Sequence, residues 1–281
     1  MTRVALVTDS ASDLDPQLAA THGIRVVPLV VNFGEQSYRA NVDLSAEAFW
    51  DRMTAPEAPF PTTAAASPGE FQAVYESAFA EGAEAIISIH VAETLSGTIR
   101  SARIARDLLP GREIHVVDSR GASMIQGLLA FLGAELAQAG RSGAEVAAQL
   151  EARLPDTKVY VALETLEYLK RGGRISGTQA AIGTLLSVKP IISIDHGLVE
   201  TVDRVRTRAK ARERLLELIA ERPIEKLAVL HTVTPDVEGF RDEVVARAGL
   251  DPGEVTVCLV GASVGPHIGP GCLGAAILYR S

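Results

Sequence analysis

The chain reads as an α/β protein of two lobes. The first lobe has a largely parallel sheet with flanking helices, and the second is a mixed α/β lobe. Three observations predict this. Short apolar runs alternate with helix-period segments through the first half, the pattern of repeated βα units. Hydrophobic residues are 47% of the chain but aromatics only 5%, and such an aliphatic composition suits parallel strands buried on both faces. Beyond residues 140–143 the punctuation changes, and a tight turn at 195–197 joins two strands as an antiparallel hairpin. The 281 residues are therefore expected to form one unit with sub-lobes at 1–155 and 156–281.

In chain order, 4–8 is an apolar strand. A helix is expected near 13–22, with Ser12 as N-cap and Gly23 as its stop. Residues 25–31 read as one second strand, and 45–54 as a helix behind a short acidic entry. The proline-rich stretch 55–66 cannot be regular throughout. It ends at Ser67, whose position before Pro68 and Glu70 marks a helix start with a capping box. A strand at 85–90, a helix from 96–98 onward, a strand at 113–118 and a long helix at 122–139 complete the first half. Then follow a helix at 144–154, a strand at 158–163, short helices at 164–171 and 176–187, the hairpin strands 191–194 and 198–203, a helix at 207–221, a strand at 226–232, a helix at 235–248 and strands at 254–260 and 273–279.

Composition excludes several functions. There are 27 basic and 35 acidic residues, a net charge of −8, the wrong sign for a nucleic-acid partner. The only dense positive patch is 170–174. Cys258 and Cys272 sit in apolar runs without a CxxC partner, so they read as buried thiols in a reducing compartment. The six histidines show neither HxxxH nor HExxH spacing, and no metal is expected. No GxxxxGK[ST] or strand-linked GxGxxG is present, and the glycine-rich 265–274 lies between strands without a helix start to hold a pyrophosphate. The apolar stretch 122–138 is interrupted by Ser123, Gln126, Gly133 and Glu135, too polar for a membrane span. The opening residues read as a first strand rather than a secretory leader. The cytoplasm is the expected location.

Three distant segments carry hydrogen-bonding groups that suit an anion. Thr62 and Thr63 close the proline-rich loop. Ser96, Gly97 and Thr98 lie at a helix start, where a hydroxyl and unpaired backbone amides meet the positive end of the helix dipole. His267 sits in a Gly/Pro loop. Together they form a donor-rich set without a base to activate a nucleophile, suited to a carboxylate or an acyl phosphate. Each residue, taken alone, reads first as a cap or a loop hydrogen bond, and spacing does not show that they converge. Arg171 and Arg174 flank two glycines and are read either as charge at a helix end or as an anion or partner contact. Asp9 and Ser10, at a strand end, are explained by capping and loop hydrogen bonds.

With these segments in view, the chain resembles the DegV family over nearly its full length. The likeness is carried by TDSASDL (8–14), SPGEF (67–71), LSGT (95–98), VDS (117–119), LKRGGRIS (169–176), VKPII (188–192) and GPHIGPGCLG (265–274). The resemblance implies a lipid-binding carrier protein of lipid metabolism. It would be a non-catalytic subunit that buries the acyl chain of a long-chain fatty acid, holds its carboxylate near the lobe junction, and presents it to a separate fatty-acid kinase. The family's loop threonine falls on Thr63, its LSGT serine on Ser96, its glycine-loop histidine on His267 and its GGRI arginine on Arg174. No cofactor is implied beyond the fatty acid as ligand. Where the family pattern reads TSQPSPGEF, this chain has three alanines, Ala64 to Ala66, after Thr63. The alternatives are a lipid-sensing regulatory protein, or a serine hydrolase or transferase using Ser10 or Ser96 with His267.

Overall fold

The computed structural model describes residues 3–175 and 188–281; the helix expected at 176–187 lies outside them. The described strands are β1 Val4–Asp9, β2 Ile24–Val27, β3 Val30–Phe33, β4 Gln36–Arg39, β5 Thr62–Ala64, β6 Ala85–His90, β7 Glu113–Asp118, β8 Thr157–Ala162, β9 Lys189–Asp195, β10 Leu198–Val205, β11 Ile224–His231, β12 Val255–Leu259 and β13 Leu273–Tyr279. They form three sheets. One is fully parallel, in the order β2-β1-β6-β7. The second has the order β10-β9-β8-β13-β11-β12 and is mixed: only β11 and β12 run parallel within it. The third, β4-β3-β5, is antiparallel.

The expected single strand at 25–31 is two strands in two sheets. Pro28 has no N–H to continue the ladder, so the chain leaves the parallel sheet after Val27 and enters the antiparallel sheet at Val30. The first helix also differs from expectation. A 3-10 turn occupies Ser10–Ser12, and the helix proper is Pro16–Thr21. Asp15 rather than Ser12 is its N-cap, accepting from the Gln17 and Leu18 amides with Pro16 in the first turn. The capping box at Ser67 and Glu70 forms as expected, and a second one, Ser142 with Glu145, starts the helix Gly143–Arg153.

The helix Met124–Gln138 positions the site. Every residue from Met124 to Ala134 is buried, as a helix that is apolar on all sides requires. It packs on β1 and β6 on one side and on β13, β11 and β8 on the other. One apolar core therefore runs from Leu6, Ile87 and Ile89 through Leu128 and Leu129 to Val159, Leu230 and Ala276. Polar bonds tie the same halves together. Asp13 Oδ1 accepts from the Gly261 amide at 2.9 Å, Trp50 Nε1 donates to the Val260 carbonyl at 2.7 Å, and Ser10 Oγ lies 2.8 Å from Ser263 Oγ.

Candidate functional site

The parallel sheet ends in a buried polar chain. Tyr75 OH lies 2.7 Å from Ser88 Oγ, which lies 2.6 Å from His90 Nε2, and His90 Nδ1 lies 2.9 Å from Asp9 Oδ2. Asp9 also accepts the Ala11 and Val91 amides. The order serine, histidine, aspartate resembles a nucleophilic triad, yet Ser88, His90 and Asp9 are fully buried and the serine faces Tyr75 instead of a cleft. Its structural effect is to fix Ala11 and Val91, and both line a cavity. Ser10 is likewise structural: it accepts the Leu29 amide at 2.8 Å and pairs with Ser263.

That cavity has a volume of about 140 Å³. Polar groups gather at its mouth: Thr63, Ser96, Gly97, Arg174 and His267 line it, along with Ala64 and Ala65. Three segments far apart in the chain are thus brought together. Thr63 lies on β5, held by pairing with Val31, and its Oγ1 is 3.0 Å from His267 Nε2. Thr62, also on β5, is exposed and does not line the cavity. Gly97 is the N-cap of the helix Thr98–Asp107, with no side-chain cap. Ser96 Oγ lies 2.8 Å from Thr98 Oγ1 and accepts the Thr98 amide at 3.3 Å, so that amide, read as free in the sequence, has a partner.

His267 sits on the short helix Gly265–Ile268. Burial, and next the Arg174 charge, push its pKa down to about 4, so the ring is neutral at pH 7. Its Nδ1 has no hydrogen-bond partner among the described residues. Gly172 makes this position possible, because a Cβ there would collide with His267 Nδ1. Arg174 is anchored by two bonds, from Nε to the Leu95 carbonyl at 3.1 Å and from Nη1 to the Gly172 carbonyl at 2.6 Å. Arg171 lies elsewhere: it is exposed and stacks 4.0 Å from the Phe60 ring centre.

Below the mouth the walls are aliphatic, with Leu29, Leu169, Ile192, Ile194, Val199 and Ile268. A deeper cavity of about 50 Å³ shares Ala122, Ile192, Ile194, Val264 and Ile268 with the first and adds Val159, Val161, Leu230 and Cys272. A polar mouth followed by a long apolar interior can hold an amphiphile with an anionic end. The DegV family model ("Uncharacterised protein, DegV family") matches residues 3–280. The chain belongs to the DegV family. Protein DegV of Bacillus subtilis is 33% identical, with 99% of each chain covered. The solved structure of a DegV family protein from Thermus thermophilus, described by its fatty acid binding, is 38% identical. It superposes with a TM-score of 0.90 over 99% of this chain and 100% of that one. The Bacillus subtilis DegV structure, described as a fatty acid binding protein, gives 31% identity and a TM-score of 0.89 over all of both chains. A stearic acid-binding protein from Eubacterium ventriosum gives 27% and 0.88, over 99% and 98%. This DegV chain shares their mixed α/β architecture.

Reading the sequence alone missed the walls Ala11, Leu29 and Val91. Among the described residues no group of three or more His, Cys, Asp or Glu side chains is placed to hold a metal, and no helix is long and apolar enough to cross a membrane.

Proposed function

We propose that this protein binds a long-chain fatty acid and presents it to a separate fatty-acid kinase, without catalysing a reaction itself, in the cytoplasm. The observation that carries the reading is the polar-mouthed apolar chamber, supported by the fatty acid binding described for its relatives. The sub-lobes 1–155 and 156–281 contribute opposite walls. The driving force is apolar: each buried methylene is worth about 0.8 kcal/mol, set against the cost of ordering the chain and losing its translational freedom.

The mouth sets the orientation. A carboxylate removed from water must be hydrogen-bonded to avoid a penalty of several kcal/mol. Thr63 Oγ1 and Ser96 Oγ–H are the donors, with the Gly97 backbone and neutral His267 beside them. Arg174 adds positive potential without needing to move, because its guanidinium is already fixed. Arg174 and the more exposed Arg171 are the contacts offered to the kinase or to the transferring phosphoryl group. Ser96 bonds to Thr98 and His267 to Thr63, an arrangement that suits anion binding better than serine activation.

The experiment couples the loaded protein to a fatty-acid kinase with ATP and traps acyl phosphate with hydroxylamine. Hydroxamate should form in proportion to loaded protein and fall with Arg174→Ala by much more than lipid retention falls. Equal hydroxamate with and without the protein would refute the presenting role.

A further inference from the structure

The hairpin that walls one side of the chamber is only partly joined to its sheet. The ladder between β9 and β8 is confined to Val161↔Ile192 and Ala162↔Ile191, so Ser193, Ile194 and Asp195 are laddered to β10 alone. At the same level β10 is bulged, between Thr201 opposite Ile192 and Asp203 opposite Ile191. A bulge interrupts a ladder and bends its strand. Both strands are therefore irregular where the hairpin leaves the sheet. Beyond that level it is a two-stranded arm with a tight tip: His196 and Gly197 have φ 47° and 79°, the signs that a two-residue turn needs.

The inner face of the arm belongs to the chamber, where Ile194 and Val199 are walls. On the opposite face Leu198 is 49% exposed and Glu200 is exposed. An isolated two-stranded hairpin is marginally stable, so the arm depends on what its tip touches. The tip meets the 92–97 turn of the first lobe. Thr94 Oγ1 donates to the Gly197 carbonyl, and Gly197 is buried so close that a Cβ on it would collide with the Thr94 hydroxyl. From the sheet side, Lys158 Nζ bonds Asp195 Oδ1 at 2.8 Å. The 92–97 turn runs on into Leu95, Ser96 and Gly97, which line the chamber.

We propose that the arm, residues 193–199, is a side flap for acyl exchange. It swings at the bulge, parts from Thr94, and opens a slit between Leu95 and Ile194 through which the acyl tail enters and leaves sideways. The proposal rests on the acyl-chamber reading above and adds the route. The slit begins at Ser96 and Gly97 and continues down the aliphatic wall, so the carboxylate keeps its donors while the tail moves. Threading through the mouth would instead drag every methylene past Thr63, Arg174 and His267. Opening breaks the latch at Gly197 and lifts Ile194 and Val199 from the chamber, a motion of the kind that lids make.

The test joins the arm to the turn with Thr94→Cys and Gly197→Cys in the full chain. A Cβ on Gly197 would lie 3.6 Å from that of Thr94, within the span of a disulfide, and Cys258 and Cys272 are buried and do not compete. Exchange of bound palmitate for perdeuterated palmitate is followed by native mass spectrometry, first with the bond formed and then after its reduction by a thiol. Exchange should be at least about tenfold slower in the bonded form and recover on reduction. Thr94→Val, which avoids a cysteine at a positive φ, should speed uptake and release together about fivefold and leave the dissociation constant little changed. The proposal is overturned if bonded and reduced forms exchange equally fast, if the two thiols fail to join in a folded double variant, or if a folded Thr94→Val leaves both rates unchanged. A wild type that takes up no palmitate would overturn the acyl-chamber reading and this proposal with it, whereas normal uptake by the wild type with an unaffected bonded form would overturn the proposal alone.

Discussion

Ala122 lines both the outer and the deep cavity, and a larger side chain there should shorten the usable chamber. Ala122→Leu adds an isopropyl group at the joint. An acyl chain that reaches past this point loses the deep cavity of about 50 Å³, walled by Val159, Val161 and Leu230. If about four methylenes are excluded at about 0.8 kcal/mol each, the loss is about 3 kcal/mol, or on the order of 200-fold in affinity. Acids too short to reach Ala122 lose almost nothing. The assay is a chain-length series from decanoate to stearate, measured by titration calorimetry on both proteins. Wild-type affinity should rise steadily with length, while the variant's should level off at an intermediate length. The thermal midpoint serves as a control and should move little, because the new group enters open space rather than a packed core. A uniform loss at every length, or a series that does not level off in a folded variant, would refute the assignment of these walls to the acyl tail.

Thr63→Ala and Ser96→Ala each remove a headgroup hydroxyl and should weaken binding about tenfold with no loss of fold, measured by fatty-acid titration. Gly172→Ala should displace His267 from Thr63 and weaken binding at least as much, while Gly173→Ala, which meets no neighbour but has a positive φ, should act on stability alone. Burial pushes the Asp13 pKa up to about 7, opposed by the nearby Ser123 hydroxyl and the Gly261 amide and reinforced by Asp9. Its folded pKa lies above its unfolded one, so its contribution to stability is greatest below about pH 4 and declines as the pH rises to about 7. Asp13→Asn should therefore be more stable than the wild type at pH 8, by up to the order of 4 kcal/mol. The gain should vanish near pH 4 in thermal melts across that range. His267, held at about 4, acts in the opposite sense: its neutral form favours the fold above about pH 6.5, and this is lost as the pH falls toward 4.

Much of the fold was legible because apolar runs with clear boundaries leave few alternatives. The strands Ala85–His90, Glu113–Asp118 and Leu273–Tyr279 and the capped helix at Pro68 fall where the pattern puts them. The failures have local causes. Ser12 reads as the cap, but Asp15, directly before Pro16, takes that place. Pro28 interrupts an otherwise apolar run without a polar break, so the passage from one sheet to another was hidden. The antiparallel sheet depends on β5 meeting β3 some thirty residues away, and pairing of that kind leaves no periodic trace. The chemistry of the mouth was legible in residue types but not in place: spacing cannot show that Thr63 and His267, 204 residues apart, lie within hydrogen-bond distance. The choice between Thr62 and Thr63 is one of exposure, which required the fold around β5.

The account stands on enclosure of an acyl chain, and native mass spectrometry of the protein purified directly from cells tests that most directly. It predicts an adduct at one molecule per chain whose mass equals a long-chain fatty acid, saturated or unsaturated, released by Ala122→Leu before the chain unfolds. A population at the bare polypeptide mass that also takes up no added palmitate or stearate at micromolar concentration would contradict it.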